Sequence, residues 1–325
     1  MTVQEAPPRR LLEHPLALPL AVALVAGLVV CSLFVGVYDL DKDAFGREIF
    51  FISRVPRTVA LVLAGCAMSM SGLIMQLLTQ NRFVEPTTVG TAEWAGLGLL
   101  LVTIVAPQTG IATKMVVASV AAFGGTLIFL AILSRLALRS SLVVPLVGIM
   151  LGAVVAAVST YLAAQYDLLQ MLGTWFQGSF TSVVRGRYET LWIILVVVVA
   201  AYLVADRFTI AGLGKETATS VGLSYERILL LGTLLVALAT GVTTVVIGFL
   251  PFLGLVVPNL VSLARGDDLR SNIPWVCLGG VAIVTVCDII GRTVRAPFEI
   301  PVSPILGAVG AFVFVALLLR QRRHG

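Results

Sequence analysis

Three acidic side chains, Glu85, Glu93 and Asp288, stand in or beside long apolar runs, where an ionised carboxylate needs a partner or a task. Asp288 lies four residues before Arg292, the spacing at which an acid and a base meet on one helix face and neutralise each other. Glu85 precedes Pro86 in a loop, the position of a capping acid, and Glu93 beside Trp94 opens a short apolar stretch, placed to touch a pathway. None of the three belongs to a recognisable catalytic set. Gly212-Leu213-Gly214-Lys215-Glu216 approaches a phosphate-binding loop but lacks the leading glycine and the hydroxyl that holds magnesium. H-E-x-x-H and G-x-S-x-G are absent. The only histidines are His14 and His324, and Cys31, Cys66, Cys277 and Cys287 stand singly in apolar stretches. That pattern argues against a Cys/His metal site and suits small buried hydrophobes. The chain reads as neither an enzyme nor the holder of a cofactor, so work done on a solute must draw on a partner or an ion gradient.

The surrounding composition explains where these residues sit. Hydrophobic residues make up 58% of the 325, charged residues 12%, and mean hydropathy is +1.03. A soluble domain carries roughly 25% charged residues, so the solvent of this chain is mostly lipid. Crossing a bilayer takes about 20 helical residues, and ten segments fit: 16–37, 57–79, 92–106, 114–134, 143–165, 188–205, 228–248, 251–264, 273–291 and 301–319. They predict an all-α polytopic protein with one transmembrane domain over 1–325. The first segment exceeds the ~7–15 residues of a signal-peptide core and no cleavage site follows it, so it is expected to be an uncleaved span. The third and eighth are short, and the eighth contains Pro251 and Pro258. Interrupted segments survive at membrane depth only inside protein or along a cavity. Glu93, Trp94, Pro251, Pro258 and the neighbouring Asn259 are therefore candidates for the pathway or its gate.

The net charge of +5 reflects basic residues in loops between spans, which is membrane orientation and not nucleic-acid binding. With both termini cytoplasmic, thirteen Lys and Arg fall inside and nine outside, the sign the positive-inside rule requires. The longest inside loop, 206–227, centres on Leu213-Gly214-Lys215-Glu216-Thr217-Ala218. Two glycine breaks frame a helix of about two turns, with Glu216 near its positive end and Gly222 as a left-handed stop. Ser224 is placed to cap the next span, with Glu226 in its first turn. A short helix outside the membrane is a lever for a partner.

This loop resembles the coupling-helix loop of permeases in the iron-siderophore, haem and cobalamin importer family of ABC transporters. Other blocks agree in order: Arg54-Val55-Pro56-Arg57-Thr58, Ser71-Gly72 through Gln76, Asn81-Arg82-Phe83-Val84-Glu85-Pro86 with Gly90, Pro251 to Pro258, Asp288 with Arg292, and Glu299-Ile300-Pro301 with Gly307. Most members carry His where this chain has Asn259, and Gly where it has Pro251. Those departures, with Glu93-Trp94, resemble the ferric-siderophore subgroup and make haem or cobalamin the alternative cargo.

The resemblance implies a type II ABC importer permease fold in a prokaryotic cytoplasmic membrane. It implies a second permease, as a homodimer or paired heterodimer, two cytoplasmic ATPase subunits that use ATP, and an extracytoplasmic solute-binding protein delivering ferric siderophore. Leu213, Gly214, Glu216, Thr217, Ala218 and Gly222 would couple to the ATPase. Arg54, Arg57 and Arg292, with Arg295 beside them, would face outward to acids of the docked binding protein. An ion-coupled secondary transporter is a further alternative, but it needs polar groups at mid-membrane and finds few beyond Glu93 and Asp288.

Overall fold

The computed structural model describes residues 15–36, 46–136, 142–266 and 268–322. Arg9, Arg10, His14, Lys42, Arg139, Arg323 and His324, which entered the charge and histidine readings, lie outside the described residues.

Among the described residues every regular element is helical. Helix α1 (Ala17–Phe34) is followed by α2 (Gly46–Ile49), which runs through a π-helical turn (Phe50–Arg54) into α3 (Val55–Thr79). Then come α4 (Thr91–Val105), α5 (Ile111–Arg135), α6 (Val143–Gln165) and α7 (Leu169–Phe176). A 3-10 turn (Glu189–Trp192) leads into α8 (Ile193–Leu203), α9 (Ala205–Gly212) and α10 (Lys215–Ser220). The chain ends with α11 (Tyr225–Val246), α12 (Leu253–Arg265), α13 (Leu269–Thr293) and α14 (Val302–Arg322). Six helices, counting the π-helical turn with α3, are long and apolar enough to cross a membrane. The α8 region and α9 form one further span bent by 61°, and α4, α12 and α14 are shorter apolar helices. These match the ten expected segments in position, but six, or seven with the bent pair as one, have the length and composition of a full crossing.

Two features depart from expectation. The sixth span does not stop near residue 205; it bends after Leu203 and continues as α9, whose Asp206 pairs with Arg270 at 2.9 Å. Helix α7 has no counterpart among the expected segments because its eight residues are too few to register as a span.

Helix α3 is the axis. In its apolar stretch 78% of residues are buried, against 6% in α1, which lies at the periphery. Lipid gives no hydrophobic drive between helices, so close backbone approach must hold them. A Cβ at Gly65 would come within 2.8 Å of the Val281 backbone of α13, and Gly72 faces Gly254 of α12 with no room for a side chain. The spans end in two polar regions. One gathers the α3–α4 loop, α9 and α10, through Gln80 donating to the Gly212 carbonyl at 3.2 Å. The opposite one gathers the ends of α1 and α13, the start of α3 and the loop after α7.

Candidate functional site

The short polar helix expected between the sixth and seventh spans is α10. Gly214 enters it at φ +110° and Gly222 leaves it at φ +80°, values that favour glycine. Its end is a Schellman motif: Gly222 N–H donates to the Thr219 carbonyl at 3.0 Å and Leu223 N–H to Ala218 at 2.9 Å. Ala218 is fully buried and fastens the stub to the body, while Leu213, Glu216, Thr217 and Gly222 are exposed. The hydroxyls of Thr217, Thr219 and Ser220 bond back to the chain. Glu216, flanked by the exposed apolar side chains of Leu213 and Val221, is the stub's outward acid. Ser224 stands at the N-cap of α11 but makes no side-chain cap bond.

The second region is the break before α12. Proline within a helix leaves the carbonyl four residues earlier without its donor. Pro258 frees the Gly254 carbonyl, and Gln76 Nε2 of α3 supplies the missing bond at 3.3 Å. Asn259 donates to Leu255 of its own helix at 2.7 Å and to the Arg82 carbonyl of the α3–α4 loop at 2.8 Å. At the head of α12, Phe252 sits at φ +63° and offers no side-chain cap. That role falls to Glu85, fully buried, whose Oε1 accepts from Phe252 N–H at 2.7 Å and from the Thr87 hydroxyl at 2.5 Å. Glu85 is thus a capping acid, but for a helix 167 positions away rather than for its own loop. Pro251, Pro258 and Asn259 therefore converge, with Glu85 and Gln76 as members that local spacing did not assign.

Glu93 and Trp94 stand apart from this cluster. Trp94 covers Gly125 of α5, and the Glu93 carboxyl lies beside Gly152 of α6, its Oε2 buried without a hydrogen-bond partner. Helix α4 nonetheless reaches the break, since a Cβ on Gly96 would meet the Phe249 ring at 3.3 Å.

The third region is a clasp of charges. Arg57 grips Asp288 through Nε and Nη2 at 3.2 and 2.7 Å, and both Glu299 oxygens through Nη1 at 3.1 and 2.9 Å. Arg292 pairs with the same Asp288 at 2.8 Å, the expected i,i+4 contact, and its Nη1 donates to the Ser32 and Val35 carbonyls at the end of α1. Arg54 donates to the Leu33 carbonyl at 3.1 Å. Pro56 recapitulates the proline logic, for the freed Ile52 carbonyl accepts from Arg185 N–H at 2.9 Å. Thr181 closes the clasp by donating to Glu299 at 2.7 Å. Burial acts to raise the Glu299 carboxyl, but the Thr181 hydrogen bond and the charge of Arg57 outweigh it and hold it below the usual glutamate range. The structure thus places Arg54, Arg57 and Arg292 in contacts within the chain, Arg54 and Arg292 being buried; Arg295 alone of the four is exposed. A cation at the membrane border recruits carboxylates and carbonyls whether or not a partner protein is present.

Membrane-length apolar helices interrupted at two places, with a short polar helix at one end, define the class: a multi-pass membrane protein. The chain belongs to the FecCD transport family, whose profile matches residues 18–320. It is 54% identical over 309 residues to the petrobactin import system permease protein FatD of Bacillus anthracis, covering 95% of this chain and 92% of that one. The petrobactin import system permease protein YclN of Bacillus subtilis is 42% identical, with 91% and 96% covered. The vitamin B12 import system permease protein BtuC of Klebsiella pneumoniae is more distant, at 32% identity with 87% and 86% covered. A solved metal-chelate-type ABC transporter in an inward-facing conformation shares the fold at TM-score 0.81 and 20% identity, over 94% of this chain and all of the other.

Proposed function

We propose that this chain is the membrane-spanning permease subunit of an ABC importer for a ferric siderophore, acting as a single transmembrane domain with both termini in the cytoplasm. The observation that carries the reading is the 54% identity, over 95% of this chain, with a petrobactin permease. Two permeases, identical or different, form the conduit, and two ATPases grip the α10 stubs from the cytoplasm. Nucleotide-driven closure of the ATPases moves α10, and the broken spans re-aim so that the chelate, handed over by a binding protein, passes inward. The chain holds no cofactor, and ATP is spent by the partner. Arg295 meets acids of the binding protein first, while Arg54, Arg57 and Arg292, the last two balanced by Asp288 and Glu299, hold the rim behind it.

The test is uptake by vesicles reconstituted with this permease, the ATPase and the binding protein. Accumulation of ferric petrobactin that requires ATP, with vitamin B12 and haem excluded, is expected. Accumulation driven by an ion gradient with the ATPase left out would replace this reading with an ion-coupled carrier, and preference for vitamin B12 would reassign the cargo.

A further inference from the structure

The α3–α4 loop does more than connect two spans. Its first residue, Gln80, holds the Gly212 carbonyl at 3.2 Å, two positions before the glycine that opens α10. Its body is stiffened from within. Phe83 N–H donates to Asn81 Oδ1 at 2.9 Å, Glu85 N–H to the Thr88 hydroxyl at 2.9 Å, and Thr91 N–H to the Pro86 carbonyl at 2.9 Å. Asn81, Phe83, Val84, Glu85 and Pro86 are all buried. Its far side is tied to α12 at two levels, by Asn259 on the Arg82 carbonyl and by Glu85 on the head of the helix. No local side chain caps α12; Glu85 holds the Phe252 N–H at its head.

We infer that Glu85 is a positioning residue that transmits movement of the α10 stub to the broken span α12, making the α3–α4 loop and α12 one body between the cytoplasmic lever and the gate. The inference rests on the importer reading above. A displaced α10 pulls on Gln80; the stiff loop has no slack to absorb it; and Glu85 and Asn259 carry the displacement to α12. Without the Glu85 carboxylate, α10 moves and the helix head does not follow. Hydrolysis then runs without transport, a signature that an ordinary packing residue does not produce.

The experiment measures ferric petrobactin uptake and ATP hydrolysis together in vesicles holding the complete transporter and binding protein. Glu85→Ala is expected to keep most of the hydrolysis while chelate moved per ATP falls about tenfold, the scale of one lost buried hydrogen-bond acceptor. Glu85→Gln keeps an oxygen for Phe252 N–H but loses the charge, and its ratio should fall about twofold; it decides the matter if the alanine variant does not accumulate. An unchanged ratio in the folded variants overturns the inference, as does a parallel fall of hydrolysis and uptake, which marks Glu85 as holding assembly alone. Failure of the wild-type complex to take up the chelate with ATP indicts the importer reading instead.

Discussion

The clasp and the break solve the same problem, polar groups withdrawn from water, by opposite means. In the clasp, charge meets charge: Asp288, wholly buried, is shared by Arg57 and Arg292, and Glu299 takes the remaining face of Arg57. At the break, one carboxylate meets neutral donors, Phe252 N–H and the Thr87 hydroxyl, and one carboxamide meets a freed carbonyl. Losing a member of a buried ion pair strands the other charge. Losing a cap weakens one end of one helix. The first arrangement therefore favours permanence and the second allows movement at modest cost, which suits one end of the bundle that holds its shape and a short helix that changes its tilt.

The sharpest way to break this comparison is Asp288→Ala. It leaves the buried Arg292 without a carboxylate and Arg57 with Glu299 alone, and a loss of about 3–5 kcal/mol is expected, read as a lowered unfolding temperature in detergent or failure to accumulate. A smaller loss than for Glu85→Ala would invert the assignment of permanent and movable regions. Next comes Gly222→Val, which has open space for its side chain but must hold φ +80°, a strain of about 1–3 kcal/mol. Uptake should be abolished while the permease remains in the membrane, and normal uptake would remove α10 from the coupling role. Glu216→Arg should act likewise without the strain. Replacing Gln76 with Leu strands the Gly254 carbonyl, for about 1–2 kcal/mol, and should slow uptake more than it lowers the unfolding temperature.

The smallest effects belong to the exposed rim. Arg295→Glu should weaken binding-protein affinity by about 0.5–1 kcal/mol, chiefly through the on-rate and more at low salt, without touching stability. Arg57→Glu should harm both. Equal stability losses from the two would mean that the clasp is not a structural unit. The clasp also has a pH signature. Because the folded Glu299 carboxyl lies below its ordinary value, its contribution is complete above the usual glutamate pKa of ~4.3 and is lost as pH falls through the lower folded value. The clasp's own share of the unfolding temperature should therefore fall below about pH 4, and Thr181→Val should shift that fall upward.

The spans were legible because the hydropathy that selects about 20 apolar residues is a local property: the expected 143–165 and the observed α6 coincide, and α11 starts three residues before its expected segment. The stub was legible because glycine at both ends of a short polar run has one economical reading. Pro251 and Pro258 pointed to an interrupted eighth segment, but α12 runs through Pro258 and the chain breaks before the helix, over 247–252. What took the freed carbonyl did not show, since Gln76 lies 178 positions away. The same holds for Arg57, whose partners lie 231 and 242 positions off. An arginine beside an apolar run announces a cation at a membrane border, but only the assembled helices decide whether it looks outward or inward.

Helix α12 has 13 residues, about 20 Å at 1.5 Å per residue, against a hydrocarbon layer of about 30 Å. The remainder of that wall is the six-residue stretch 247–252, laced to its surroundings by Phe249 N–H on Trp175, Ser179 N–H on Ile247 and the Ser303 hydroxyl on Phe249. On the importer reading, keeping protons and sodium from leaking past α12 falls to a ribbon of backbone rather than to a rod.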